Sequence, residues 1–217
     1  LCDTKITQMI RFFTLVILFT SLQVASAQII VPFTPKYEGV HRGGITMLSN
    51  SSVTCDGSDT ACGGIQIELP FLGVGINNNL ISAYIDIDLD PSTHMSSSDS
   101  LALPACSEIE WAGLFWGAEI SALSPDYLLR GQVKLKVDDE AYVNVNASVL
   151  EDNFTGFNTY HCYSDITAIV QAHGLNGRYT IADLATHIGG NDHFGGWTIV
   201  VAFKNDLLPL RHLCVYD

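Results

Sequence analysis

Short runs rich in Val, Ile, Tyr, Phe and Trp recur along the chain, each closed by a cluster of Gly, Asn, Asp or Pro. Such punctuation predicts strands. They fall near Gly44–Leu48, Ile65–Leu69, Leu80–Leu89, Ser100–Leu103, Glu108–Ala118, Gln132–Val137, Tyr142–Leu150, Asn158–Tyr163, Arg178–Leu184, Trp197–Phe203 and Leu210–Tyr216. In Gln132–Val137 the apolar residues Val133, Leu135 and Val137 alternate with polar ones, the pattern of a half-buried strand. Trp197–Phe203 is nearly all apolar, as expected in the middle of a sandwich. One helix is predicted: Asp165 caps Ile166–Ala172 and Gly174 ends it, with Ile166, Ile169 and Val170 on one face. So short a helix is a plug at the end of a sandwich, not a layer. There is no βαβ rhythm and no fixed-period repeat. The pattern predicts an all-β fold, a jelly-roll-like antiparallel β-sandwich with one short helix. An immunoglobulin-like sandwich is the rival, and the number of strands favours the jelly roll.

Residues 1–27 break this pattern. Arg11 follows Met9, Phe12–Leu22 is mostly apolar, and Ala25-Ser26-Ala27 has the small-x-small form read by signal peptidase. The apolar run is well short of the roughly 18 residues of a membrane span, so a cleaved leader is expected over a retained anchor. Met9 is the expected start and Gln28 the expected mature N-terminus. A lead-in segment, 28–43, then precedes a sandwich domain over 44–217. The strand pattern at Cys214–Asp217 has no turn chemistry after it, which points to a longer polypeptide with downstream domains.

The formal net charge is -13. Acidity of this size argues against nucleic acid and anionic lipid as partners. It suits a secreted or surface-exposed chain and is compatible with bound cations. Export also places the cysteines in an oxidising space. Cys55 and Cys62 flank a short polar loop, and a disulfide closing it is the expected pair. Cys162 and Cys214 can also pair, but the partners of Cys106, Cys162 and Cys214 are open at this point.

Chemistry-bearing residues are few. Asp86, Asp88 and Asp90 alternate with Ile85, Ile87 and Leu89. On a continuing strand the carboxylates share a face, where they either are solvated or hold a cation, calcium being the candidate. The loop Gly189–Gly196 makes Asn191, Asp192 and His193 binding-loop candidates. His187 and His193 frame it as a weaker metal possibility. Trp111 and Trp116 have opposite parity, so an unbulged strand puts them on opposite faces. Trp116 is then a candidate platform for a sugar ring, while a bulge near Gly113 makes both core residues. Glu108 and Glu110 share a strand face but need a facing cleft to act as a glycosidase pair. No nucleophile elbow, P-loop or dinucleotide fingerprint occurs. Asn50, Asn146 and Asn153 open N-x-S/T sequons, relevant only in a eukaryotic source.

Four segments in series carry a resemblance. Trp111–Ala118 resembles a "WAGLYWGA" stretch, Ser164–Val170 a "DVTALV" segment, and Gly195–Phe203 followed by Pro209–Arg211 an "AGWSLVVVY…PLR" ending. Asp86–Asp90 is similar to a "DIDSD" segment. These belong to an uncharacterised extracellular β-sandwich domain of large secreted bacterial surface proteins, of the Bacteroidetes type associated with gliding motility and type IX secretion. The resemblance spans residues 44–217; Cys162 and Cys214 depart from it. It brings no catalytic residues. It implies a non-catalytic, adhesin-like or structural module displayed at the surface, with an extracellular polymer, glycan or cell surface as partner. The alternative is a carbohydrate-binding module of a secreted hydrolase.

Overall fold

The computed structural model describes residues 33–58, 81–152, 158–189 and 193–217. The chain divides into a unit of Leu1–Thr34 and a unit of Pro35–Asp217, and the described strands belong to the second. In chain order they are β1 Pro35–Ser51, β2 Val53–Cys55, β3 Ser82–Tyr84, β4 Ser96–Ala102, β5 Glu108–Glu119, β6 Gln132–Val137, β7 Val143–Asn146, β8 Val149–Asp152 and β9 Thr159–Asp165, then β10 Asn176–Ala182, β11 Gly195–Lys204 and β12 Leu210–Tyr216. A helix, α1 (Thr167–His173), lies between β9 and β10. Among the described residues no helix is long and apolar enough to cross a membrane.

The expected antiparallel sandwich is what forms. One sheet has the order β12-β1-β11-β5-β9-β8, the other β4-β10-β6-β7, and β2 pairs with β3 in a small ribbon. Most neighbours are distant in sequence, so the chain is wound by crossovers rather than as a meander. Leu114, Trp116, Ile199 and Val201 of the larger sheet meet Val133, Leu135, Tyr179 and Ile181 of the smaller one in a common core. The alternation of Gln132–Val137 is realised, with Val133, Leu135 and Val137 inward. Tyr142–Leu150 is not one strand: the chain breaks between Asn146 and Val149, where Ala147 N–H donates to Gly131 O instead of continuing the ladder.

The helix is close to expectation. Thr167 N–H donates to Asp165 Oδ1 at 2.9 Å, and Gly174 ends the helix at φ +83° with its N–H on Val170 O. Ile166 and Val170 enter the core, and Ile169 packs against it. Gln171 fastens the helix to β5 by donating to Ile109 O at 2.8 Å.

Two differences from the sequence reading matter for function. β1 starts at Pro35, not at Gly44, so described residues of the expected lead-in belong to the strand. Its pattern was illegible because Pro35–Arg42 pairs with β12 alone, while Gly43–Ser51 pairs with β11. The partner switch falls at Gly43, with φ +151°, where an ideal Cβ lies 2.0 Å from Phe203 O. Only glycine allows the chain to pass this close to β11. The second difference is the expected strand Leu80–Leu89, which ends at Tyr84. Beyond it the chain turns, because its carboxylates recruit nearby donors.

Candidate functional site

Asp86, Asp88 and Asp90 do not line a strand face. Each carboxylate bonds within its own loop or to the adjacent sheet. Asp86 Oδ1 accepts from Leu89 N–H at 3.2 Å, and Asp90 Oδ1 accepts from Ser92 N–H at 2.8 Å. Asp88 accepts from Lys136 Nζ at 2.5 Å and Tyr142 Oη at 2.6 Å. Ser96 Oγ sits 3.0 Å from Asp86 Oδ1 and 2.8 Å from Asp88 Oδ1. Burial alone pushes the Asp88 carboxyl up. Hydrogen bonds from Lys136, Tyr142, Ser96 and the Asp90 amide outweigh it and hold this group well below the usual carboxylate range. Asp88 is therefore a charged latch between the β3–β4 loop and β6, while Asp86 and Asp90 bond within the loop and to Ser96, and the strand-face array from which calcium was expected is not formed.

Asn191 and Asp192 lie outside the described residues. His193 Nδ1 faces Glu119 Oε2 at 3.4 Å, and its ring centroid is 5.5 Å from that of His187. His187 Nε2 accepts the Ser121 N–H at 2.8 Å, so this nitrogen is already engaged. Of Glu108 and Glu110, the latter is taken by Lys204 Nζ at 2.6 Å.

The two tryptophans do face opposite ways, though not as a platform and a core residue. Trp116 is 1 % exposed and its indole N–H donates to Arg130 O at 3.0 Å, so it is not a sugar platform. Trp111 points to the outer side of the six-stranded sheet and is covered there, at 6 % exposure. A bulge does occur on β5, at Glu110 rather than near Gly113: Ala202 pairs with Trp111 and Phe203 with Ile109. The extra residue puts Ile109 in the inner core and Trp111 outside it. At Gly113 an added Cβ would meet the Trp111 ring at 2.6 Å, so the glycine leaves room for the indole to lie along the sheet.

What covers Trp111 is the leading half of β1 with β12. Tyr37 stacks on Trp111 at 5.7 Å, and Lys36 Nζ lies 4.7 Å above the Tyr163 ring. Val215 joins this second cluster with Trp111, Tyr163, Val200 and Ala202. Asp217 is held by Lys36 at 3.5 Å and His161 at 3.4 Å. The cover is incomplete. Beside it a groove of about 410 Å³ runs between Met47, Phe115 and Val200 on the sheet and Cys214, Tyr216 and Asp217 at the end of the ribbon that β12 forms with the leading half of β1. Met47 is 69 % and Tyr216 56 % exposed. At one end Phe115 stacks on His161 at 6.2 Å. The groove thus has an apolar, aromatic floor and an imidazole–carboxylate end, the composition of a small-ligand site.

The sequence reading did not find this groove, although β5 carried a signal for it. Trp111, Gly113 and Phe115 are apolar in one parity and Ala112, Leu114 and Trp116 in the other, which marks a strand covered on both faces. Among the described cysteines Cys106, Cys162 and Cys214 are free, and Cys55 is not one of the free thiols. Cys62 lies outside the described residues. Cys162 and Cys214 are not bridged: Cys162 faces the inner core, while Cys214 stands on β12 opposite Glu38. Burial pushes the Cys162 thiol up to about 12. No known protein family, curated protein sequence or solved structure matches the chain.

Proposed function

We propose that the chain is a non-catalytic, adhesin-like module of an exported bacterial surface protein, and that it holds a glycan of the extracellular matrix or cell surface in the outer groove. The carrying observation is the groove itself: half-buried Phe115 and exposed Tyr216 beside His161 and Asp217. Aromatic faces accept the C–H faces of sugar rings, while an imidazole donates to or accepts from hydroxyls and a carboxylate accepts from them. The leader-like N-terminus and the resemblance to surface-protein domains support the same reading. In this reading Cys55 and Cys62 close a disulfide that pins the polar loop between them.

The test is retention on immobilised polysaccharides, wild type against Phe115→Ala and Tyr216→Ala. Loss of one stacked aromatic is expected to weaken binding by about tenfold or more. Retention equal to wild type in both variants, or no retention of wild type on any polysaccharide, contradicts the proposal.

A further inference from the structure

The β1–β12 ribbon carries a second cluster at the edge of the groove, sharing Cys214 with it. Tyr37, Leu213 and Val215 turn toward the sheet, Glu38 and His212 are exposed, and Cys214 stands half-buried between them and the groove. Glu38 and Cys214 are direct partners in the antiparallel ladder, and His212 is two residues along the same face. His212 Nε2 lies 2.8 Å from Glu38 Oε1 and 3.4 Å from Cys214 Sγ. The three atoms all fall within 4.8 Å of one another, the one such group of three found among the described residues.

One imidazole nitrogen cannot serve both neighbours. A hydrogen on Nε2 can go to the carboxylate, which leaves the sulfur only the hydrogen bond it shares with Tyr216. A lone pair on Nε2 can accept from the thiol, which leaves the carboxylate facing a lone pair. Three electron-rich atoms converge on one point, and a cation at that point satisfies all of them. We infer that Glu38, His212 and Cys214 form a binding site for a borderline-soft divalent metal, Zn²⁺ first, with water completing a tetrahedron.

The donor set selects the metal. Thiolate with imidazole favours zinc over the hard, oxygen-seeking calcium and magnesium ions. The spacing agrees. With Zn–S of about 2.3 Å and Zn–N of about 2.0 Å, the tetrahedral S···N edge is about 3.5 Å. The observed 3.4 Å is already there. The N···O edge needs about 3.4 Å, so the Glu38 carboxylate must withdraw by about half an ångström. Its side chain is 58 % exposed and free to do so. Binding replaces the thiol hydrogen by the metal and releases one proton to solvent.

The experiment uses the full chain with the Cys55 disulfide intact, handled without oxygen and without added reductant, titrated with Co²⁺ and then Zn²⁺. One equivalent of Co²⁺ is expected to give a thiolate-to-cobalt charge-transfer band that Zn²⁺ removes. Cys214→Ser and His212→Ala abolish the band, and Glu38→Gln weakens binding by about tenfold or more. In parallel, Zn²⁺ is expected to protect Cys214 from alkylation, mapped by mass spectrometry, while exposed Cys106 keeps reacting. An unchanged melting midpoint without metal confirms that each variant folds. Absence of the band, a band that survives Cys214→Ser, or unprotected Cys214 each overturns the site. Phe115→Ala retains the band, so failure of the groove and failure of the metal site are separate results.

Discussion

A side chain at position 43 has nowhere to go, since its Cβ would sit 2.0 Å from a backbone carbonyl oxygen at φ +151°. Gly43→Ala is therefore expected to destabilise the fold by about 3 kcal/mol, read from urea unfolding. Asp88 makes a different prediction. Its pKa is lowered on folding, so its contribution is complete above the unfolded carboxylate pKa of about 4 and is lost as the pH falls further. Asp88→Asn should cost about 2 kcal/mol at neutral pH, with the difference from wild type closing in acid. Because Lys136 and Tyr142 already occupy this carboxylate, the melting midpoint of the metal-free chain is expected to be the same with and without Ca²⁺. A midpoint that rises with millimolar Ca²⁺ would show that a cation displaces Lys136. Cys162, buried and with its thiol raised to about 12, should be the last of the free cysteines to react with iodoacetamide in the native state.

At the scale of elements, the ribbon of β1 and β12 is held to the outer face largely through aromatic contact. Tyr37→Ala removes the ring stacked on Trp111 and is expected to cost about 2 kcal/mol. It should also speed amide exchange in β12 more than in β11. Equal protection in both strands would mean that the ribbon does not rely on this stack. The central strands were readable in advance because their side chains obey a simple period. Gln132–Val137 alternates, and Leu210–Tyr216 begins and ends as expected. The leading half of β1 was not readable: Glu38, His41 and Arg42 are polar, and its half-buried aromatic contact, Tyr37, gives no periodic signal. The aspartate loop misled for a related reason. Ile85, Ile87 and Leu89 alternate like a strand, but Lys136, Tyr142 and Ser96 offer the carboxylates donors that a straight strand could not reach, and the chain bends to meet them.

At the scale of the molecule, the six-stranded sheet has two working faces. The inner face makes the sandwich core, and the outer face supports the ribbon and the groove beside it. Alternation predicts only one buried face, so the groove was hidden behind residues read as core. Its parts also come from distant positions: Met47, Phe115, His161 and Tyr216 belong to four strands that only the crossovers bring together. The most direct measurement is a methyl NMR titration of the full chain with oligosaccharides cut from the polysaccharide that retains it. Shift changes are expected to concentrate at Ile45, Met47, Val200 and Val215, which line the groove. Changes confined to the smaller sheet or to the loop before β11, with these methyls unmoved, would contradict the assignment of the outer face as the binding face.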